Sequence, residues 1–146
     1  MQPVDFFTVS QKKAIEDAVR QAELNTSGEV RVHIERKCKG DVLDRATEIF
    51  ALLKMHKTQQ RNGVLFYLSI EDHQFAILGD AGINAMVPEN FWETIKGMML
   101  EEFQQGNVSI GLIRGIRMTG DMLKKFYPYK RNEDVNELSD ELSFGN

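Results

Sequence analysis

Arg61 to Ile83 reads RNGVLFYLSIEDHQFAILGDAGI, and these residues decide the fold. Val64 to Ile70 is almost wholly apolar, the pattern of a strand covered on both faces. Glu71-Asp72-His73 is a short polar turn, after which Gln74 to Leu78 returns as a second, shorter strand. The hairpin closes on a Gly79-Asp80-Ala81-Gly82 corner.

Upstream, Glu29 to Glu35 alternates, with Val30, Val32 and Ile34 on one face and Arg31 and His33 on the other. This predicts a strand with one wetter face, or one near a sheet edge. Between it and the hairpin, Asp41 is suited to cap a helix whose inward stripe is Leu43, Ala46, Phe50 and Leu53, widened by Ile49 and Leu52. Strand, helix, strand implies a right-handed parallel crossover, and the hairpin adds an antiparallel neighbour. Near the start, Thr8-x-x-Gln11 fits a capping box, with Ile15, Ala18, Val19 and Ala22 at helical spacing behind it. Past the corner, Val87-Pro88 predicts a helix start, with Phe91, Trp92, Ile95, Met98, Met99 and Phe103 facing inward. A last helix, from about Ser109 to Phe126, ends before Pro128, and its Gly111 and Gly115 permit close packing. The order is α-β-α-β-β-α-α, a single-domain α/β fold with a small mixed sheet and helices on its faces.

The 146 residues suffice for one core. A formal charge of −4 divides unevenly. Glu133, Asp134, Glu137, Asp140 and Glu141 make residues 132–146 an acidic tail without a base. Removing these five from the 22 acids leaves 17 against 18 Lys and Arg, so the body, residues 1–131, stands at +1. No basic stripe with interleaved aromatics appears, which argues against nucleic acid as a partner. Leu138 and Leu142 lie one helical turn apart, yet the tail reads as peripheral, with truncation after Lys130 expected to leave a folded domain. No apolar run approaches the roughly 18 residues of a membrane helix, and Met1 to Lys13 lacks a leader pattern, so no membrane insertion is expected. Cys38 is the single cysteine, for which a reducing cytoplasm is the simpler home.

Phosphate-loop, dinucleotide, nucleophile-elbow and zinc-protease motifs are absent. His33, His56 and His73 are scattered, and Cys38 sits in the basic run Arg36-Lys37-Cys38-Lys39 without a histidine paired to it by spacing. Topology offers more. The parallel strands begin at one edge of the sheet and the third returns to it, so Glu29, Asn62 and Asp80 should gather there on glycine-flanked loops. Two carboxylates and an amide oxygen are ligands for a hard cation, Ca²⁺ or Mg²⁺. The bland alternative has Glu29 solvated, Asn62 in a turn and Asp80 as a cap. The opposite edge holds a second candidate, Asp41, Asp44, Glu71 and Asp72, where capping accounts for the first two.

TSGEVRVHIE (26–35), the AxxxFxxLxMxKTxxRNGVLFYL block (46–68), FAILGDAGI (75–83) and VPENFW (87–92) together resemble the TPM domain family, in its short stand-alone bacterial form. The resemblance implies a Rossmann-like α/β sandwich, divalent-cation binding, and an acid phosphatase activity assigned to a thylakoid-lumen member. It covers about Phe7 to Pro128 and most of NELSDEL in the tail, and its matching positions are Gly28, Glu29, Thr58, Arg61, Asn62, Gly63, Gly79, Asp80 and Gly82. Asn84 stands where many members carry an acid, leaving Asp80 as the corner's single carboxylate.

Two functions follow as expectations. One is a monomeric, cation-binding accessory domain for a protein partner still to be found. The other is a weak metal-assisted phosphomonoesterase, with Glu29 and Asp80 holding the cation and Arg61 meeting the phosphate.

Overall fold

The computed structural model describes residues 2–128 and 142–145. After a 3-10 turn, Pro3–Asp5, the elements are α1 (Val9–Glu23), β1 (Glu29–Glu35), α2 (Val42–Leu52), β2 (Gly63–Ser69), β3 (Gln74–Gly79), α3 (Ala81–Met86), α4 (Phe91–Gln104), α5 (Val108–Phe126) and β4 (Ser143–Phe144). The sheet has the order β3-β2-β1-β4, with β1 parallel to both β2 and β4 and β3 antiparallel to β2. This is the α/β sandwich with a small mixed sheet that the hairpin and crossover imply.

Alternation divides the core into two layers. Val30, Val32 and Ile34 of β1 and Val64, Phe66 and Leu68 of β2 pack with α1, α4 and α5. Leu65, Tyr67 and Ala76 face the other way, onto Ala46, Ile49 and Phe50 of α2. A strand buried on both faces must be apolar at nearly every position, which is why VLFYL reads without alternation. Thr8 and Gln11 complete the capping box of α1, their side chains and backbone amides bonding at 3.1 and 2.9 Å. Asp41 caps α2 by accepting the Asp44 amide.

Four expectations need correction. The inward stripe of α2 is narrower than expected: Ala46, Ile49 and Phe50 are buried as expected, while Leu43 and Leu52 lie exposed. His33, on the β1 face expected to be wetter, is buried against Tyr67, Glu35 and Ser143 of β4. The corner is not only a turn: Asp80 accepts the Ala81 amide and starts the six-residue α3, too short to leave a periodic signal. Pro88 precedes α4 in the turn rather than opening it, since the helix begins at Phe91.

The tail also contributes to the body. β4 lies beside β1, Gly145 N–H donates to the Ile34 carbonyl at 2.7 Å, and Leu142 is buried in the larger core. Two paired residues are too few to read as a strand in sequence. Leu138, with the helical turn suggested around it, lies outside the described residues. On α5, a Cβ at Gly111 or Gly115 would press on Phe103 or Met99 of α4, and one at Gly120 would meet the Cα of Ala22 at 2.6 Å. The close approach expected of this helix is therefore to α4 side chains and, at Gly120, to the α1 backbone.

Candidate functional site

Strand register brings the three expected residues to one edge of the sheet. Glu29 pairs with Gly63, and Val64 with Gly79, so the start of β1, the start of β2 and the end of β3 share one edge. The Glu29 amide donates to the Asn62 carbonyl at 3.4 Å and the Asp80 amide to the Gly63 carbonyl at 2.9 Å. Glu29, Asn62 and Asp80 are all buried.

The loop before β2 shapes this edge. Arg61 adopts a left-handed backbone, φ 52°, which turns its carbonyl to accept the amides of Gly82 and Ile83 at 2.9 and 3.2 Å. Gly82 is required there, since a Cβ would lie 2.1 Å from the Gln60 carbonyl oxygen. Thr58 is buried below the loop, with its hydroxyl accepting the Asn62 amide at 3.3 Å.

The four predicted residues are not equivalent. Arg61 Nε and Nη2 donate to Asp80 Oδ2 and Oδ1 at 2.6 and 2.7 Å, a bidentate fork. Asp80 Oδ1 also caps α3, so its carboxylate is already occupied within the fold. Asn62 Nδ2 donates to Ser27 Oγ and Gln60 Oε1 at 3.3 and 3.4 Å, and Ser27 Oγ donates to Gln60 Oε1 at 2.6 Å. Asn62 Oδ1 is buried with no hydrogen-bond partner among the described residues. Buried acceptors of this kind are uncommon and call for an occupant.

These donors are all oxygens, which suits a hard cation and excludes a soft one. No group of three or more His, Cys, Asp and Glu side chains gathers among the described residues, so such a cation would depend on two carboxylates and the Asn62 amide. It would also have to displace the Arg61 fork.

Asn84 is held on both sides of its amide. Its Nδ2 donates to the Gly79 carbonyl at 2.8 Å, and its Oδ1 accepts the indole N–H of Trp92 at 2.9 Å. Only an amide does both, so this position clamps the corner to α4.

At the opposite edge the acids have structural partners. Asp72 accepts the Cys38 amide and the Ser69 hydroxyl, and Glu71 lies 3.9 Å from both Arg36 and Lys37. Beneath them is a cluster the sequence did not reveal. Glu35, 2% exposed, receives the Tyr67 hydroxyl at 2.6 Å, two guanidinium nitrogens of Arg45, and His33 Nε2 at 3.3 Å. His33 stacks on Tyr67 and shares a hydrogen bond with Ser143 of β4 at 2.9 Å. Burial pushes Glu35 up, and the bonds from Arg45, Tyr67 and His33 outweigh it, holding the carboxyl below the ordinary range. Burial lowers His33, with Glu35 offsetting part of the effect. Alternation of β1 marked the face of His33, but nothing in the sequence paired it or Glu35 with Arg45 and Tyr67.

A family model described as the TPM domain matches residues 1–122. The chain belongs to the TPM domain family. This TPM domain is similar to the BA42 protein of the psychrophilic bacterium Bizionia argentinensis, with 46% identity, 97% of each chain covered and a TM-score of 0.89. Two further solved structures share the fold alone. The N-terminal domain of a P. gingivalis protein is 15% identical over 88% of this chain and 84% of its own, with a TM-score of 0.71. That of cg2496 from Corynebacterium glutamicum is 10% identical over 90% and 85%, with a TM-score of 0.65. No curated protein matches the chain. No helix among the described residues is long and apolar enough to cross a membrane.

Proposed function

We propose that this TPM domain is a divalent-cation-binding accessory module, with Glu29, Asn62 and Asp80 holding Ca²⁺ or Mg²⁺. The observation that carries the reading is the buried Asn62 Oδ1, which has no hydrogen-bond partner among the described residues and whose residue lies between two buried carboxylate positions across the sheet edge. The cation would supply fixed positive charge at a glycine-flanked edge. Arg61 competes with it for Asp80, so affinity is modest and responsive to changes in cation concentration. The module acts as a monomer on a protein partner, in the cytoplasm, where its lone Cys38 stays reduced.

Titrating Ca²⁺ and then Mg²⁺ while following backbone amide shifts tests this. Shifts are expected around Gly28–Glu29, Asn62–Gly63 and Gly79–Gly82, and Asp80→Asn should abolish them with the fold intact. A response confined to Asp41, Asp44 and Asp72 would move the site to the other edge. Silence at millimolar cation would remove it.

The alternative is a weak metal-assisted acid phosphatase, favoured by the half-exposed Arg61 guanidinium at the mouth of the same edge. No proton donor is shown bonded to the site among the described residues: His33 belongs to the Glu35 cluster, His73 to the hairpin turn at the far end, and His56 is exposed in the 3-10 turn Met55–Lys57 before β2. Hydrolysis of generic phosphomonoesters is therefore expected to be trace. Robust turnover at acidic pH, lost in Asp80→Asn or Glu29→Gln, would establish the enzyme instead.

A further inference from the structure

A cavity of about 350 Å³ lies at the hairpin end of the sheet, away from the Glu29–Asp80 edge. This volume falls in the lower part of the range of small-ligand sites. It forms where the helical layer stops short of the strands. α4 ends at Gln104, the chain turns through Gly106 with φ 84°, and α5 starts at Val108, while β2 and β3 continue to Ser69 and Gln74. Phe6, preceding α1, closes the gap on one side without filling it.

The chemistry of the lining narrows the occupant. The floor is Leu68, and Phe75 and Phe103 form an edge-to-face wall, with ring centroids 4.8 Å apart. Leu100, 47% exposed, stands at the mouth. None of the twelve lining residues is Asp, Glu, Lys or Arg. The Ser69 hydroxyl is directed to Asp72, at 2.8 Å. The remaining polar groups at the opening are the exposed Gln74 and Gln104 amides and His73. A carboxylate or phosphate entering here would leave water for apolar walls with no lysine or arginine in the lining to meet it. A neutral molecule would bury its chain against Leu68, Phe75 and Phe103 and leave one hydrogen-bonding head with the glutamines.

We propose that this cavity is a binding site for a small, uncharged amphiphile: a medium-length alkyl chain bearing an alcohol or amide head. It is independent of the cation reading, shares no residue with it, and stands whether or not that edge binds metal.

The test uses 1-octanol as the neutral probe and octanoate as its charged counterpart, titrated separately into the full chain while amide shifts are followed. Saturable shifts at Leu68, Phe75, Phe103 and Val108 are expected with 1-octanol, and clearly weaker ones with octanoate. Leu100→Glu alters an exposed mouth residue and should leave the fold intact. It is expected to weaken 1-octanol binding by about tenfold or more, because it brings a charge that the chain must keep hydrated. Val108→Phe, which fills the cavity without adding charge, should do the same. Absence of saturable shifts, equal binding of octanoate, or unchanged binding in both variants would overturn the proposal.

Discussion

Arg61 holds Asp80 with both arms of its guanidinium, while the Arg61 carbonyl accepts the amides of the two residues after Ala81. One residue thus ties the loop before β2 to the corner after β3 through its side chain and its backbone at once. The backbone bonds can persist when the side chain leaves, which makes the fork separable from the fold.

Arg61→Gln is therefore expected to keep the fold and to tighten Ca²⁺ binding by about two- to fivefold, the effect of removing a partner from an ion pair open to solvent. Calorimetric or amide-shift titration of both proteins measures it. Equal affinity would show that the guanidinium does not compete with the cation.

Acid should destabilise the protein in two stages. His33 is held below its ordinary 6.5, so the unfolded chain takes up that proton first. Its contribution is complete above pH 6.5 and is lost as pH falls toward the folded value. Glu35 is held below 4.5, so its contribution disappears as pH falls below that. Thermal midpoints should be level above neutrality, decline from about pH 6.5, and fall more steeply below about pH 4.5. His33→Gln should flatten the first stage and leave the second.

Tyr67→Phe takes from the buried Glu35 carboxylate its 2.6 Å hydroxyl donor while keeping the ring packed on α2. A loss of about 1.5–3 kcal/mol is expected, typical of a hydrogen bond to a charged group. Urea unfolding of the variant at neutral pH checks it, and an unchanged midpoint would show that Arg45 and His33 alone satisfy Glu35.

Asn84→Asp should destabilise the protein. The carboxylate cannot donate to the Gly79 carbonyl now bonded at 2.8 Å, and a cost of about 1–3 kcal/mol is expected. Trp92 reports the change directly, because its indole N–H bonds the same side chain. A variant with wild-type unfolding and fluorescence would deny the clamp.

The order of the main elements and the meeting of Glu29, Asn62 and Asp80 were legible because they follow from strand direction, which alternation and the hairpin disclose. The Arg61 fork was not, since it depends on one left-handed residue whose conformation leaves no pattern. The Glu35 cluster was hidden for a different reason. Its members come from β1, α2 and β2, and only their packing in space, which leaves no periodic pattern, brings Arg45 and Tyr67 onto Glu35. β4 was missed because its two paired residues carry no periodicity.

Deleting residues 142–146 should consequently lower stability rather than leave it unchanged. Re-exposing Leu142 alone costs about 2 kcal/mol, to which the loss of the Ser143 and Gly145 hydrogen bonds adds. A denaturation midpoint equal to that of the full chain would refute this.

The pairing of β4 with β1 has a consequence for synthesis. Ser143 lies 110 residues beyond His33, so β1, β2 and β3 are synthesised well before the strand that covers the outer side of β1. Throughout that interval the outer edge around His33 and Ile34 offers backbone hydrogen bonds to any extended neighbour, the configuration from which misassociation starts. Translation speed through the acidic stretch before Leu142 then sets how long this edge stays open, and chaperone demand should rise when that stretch is lengthened or slowed.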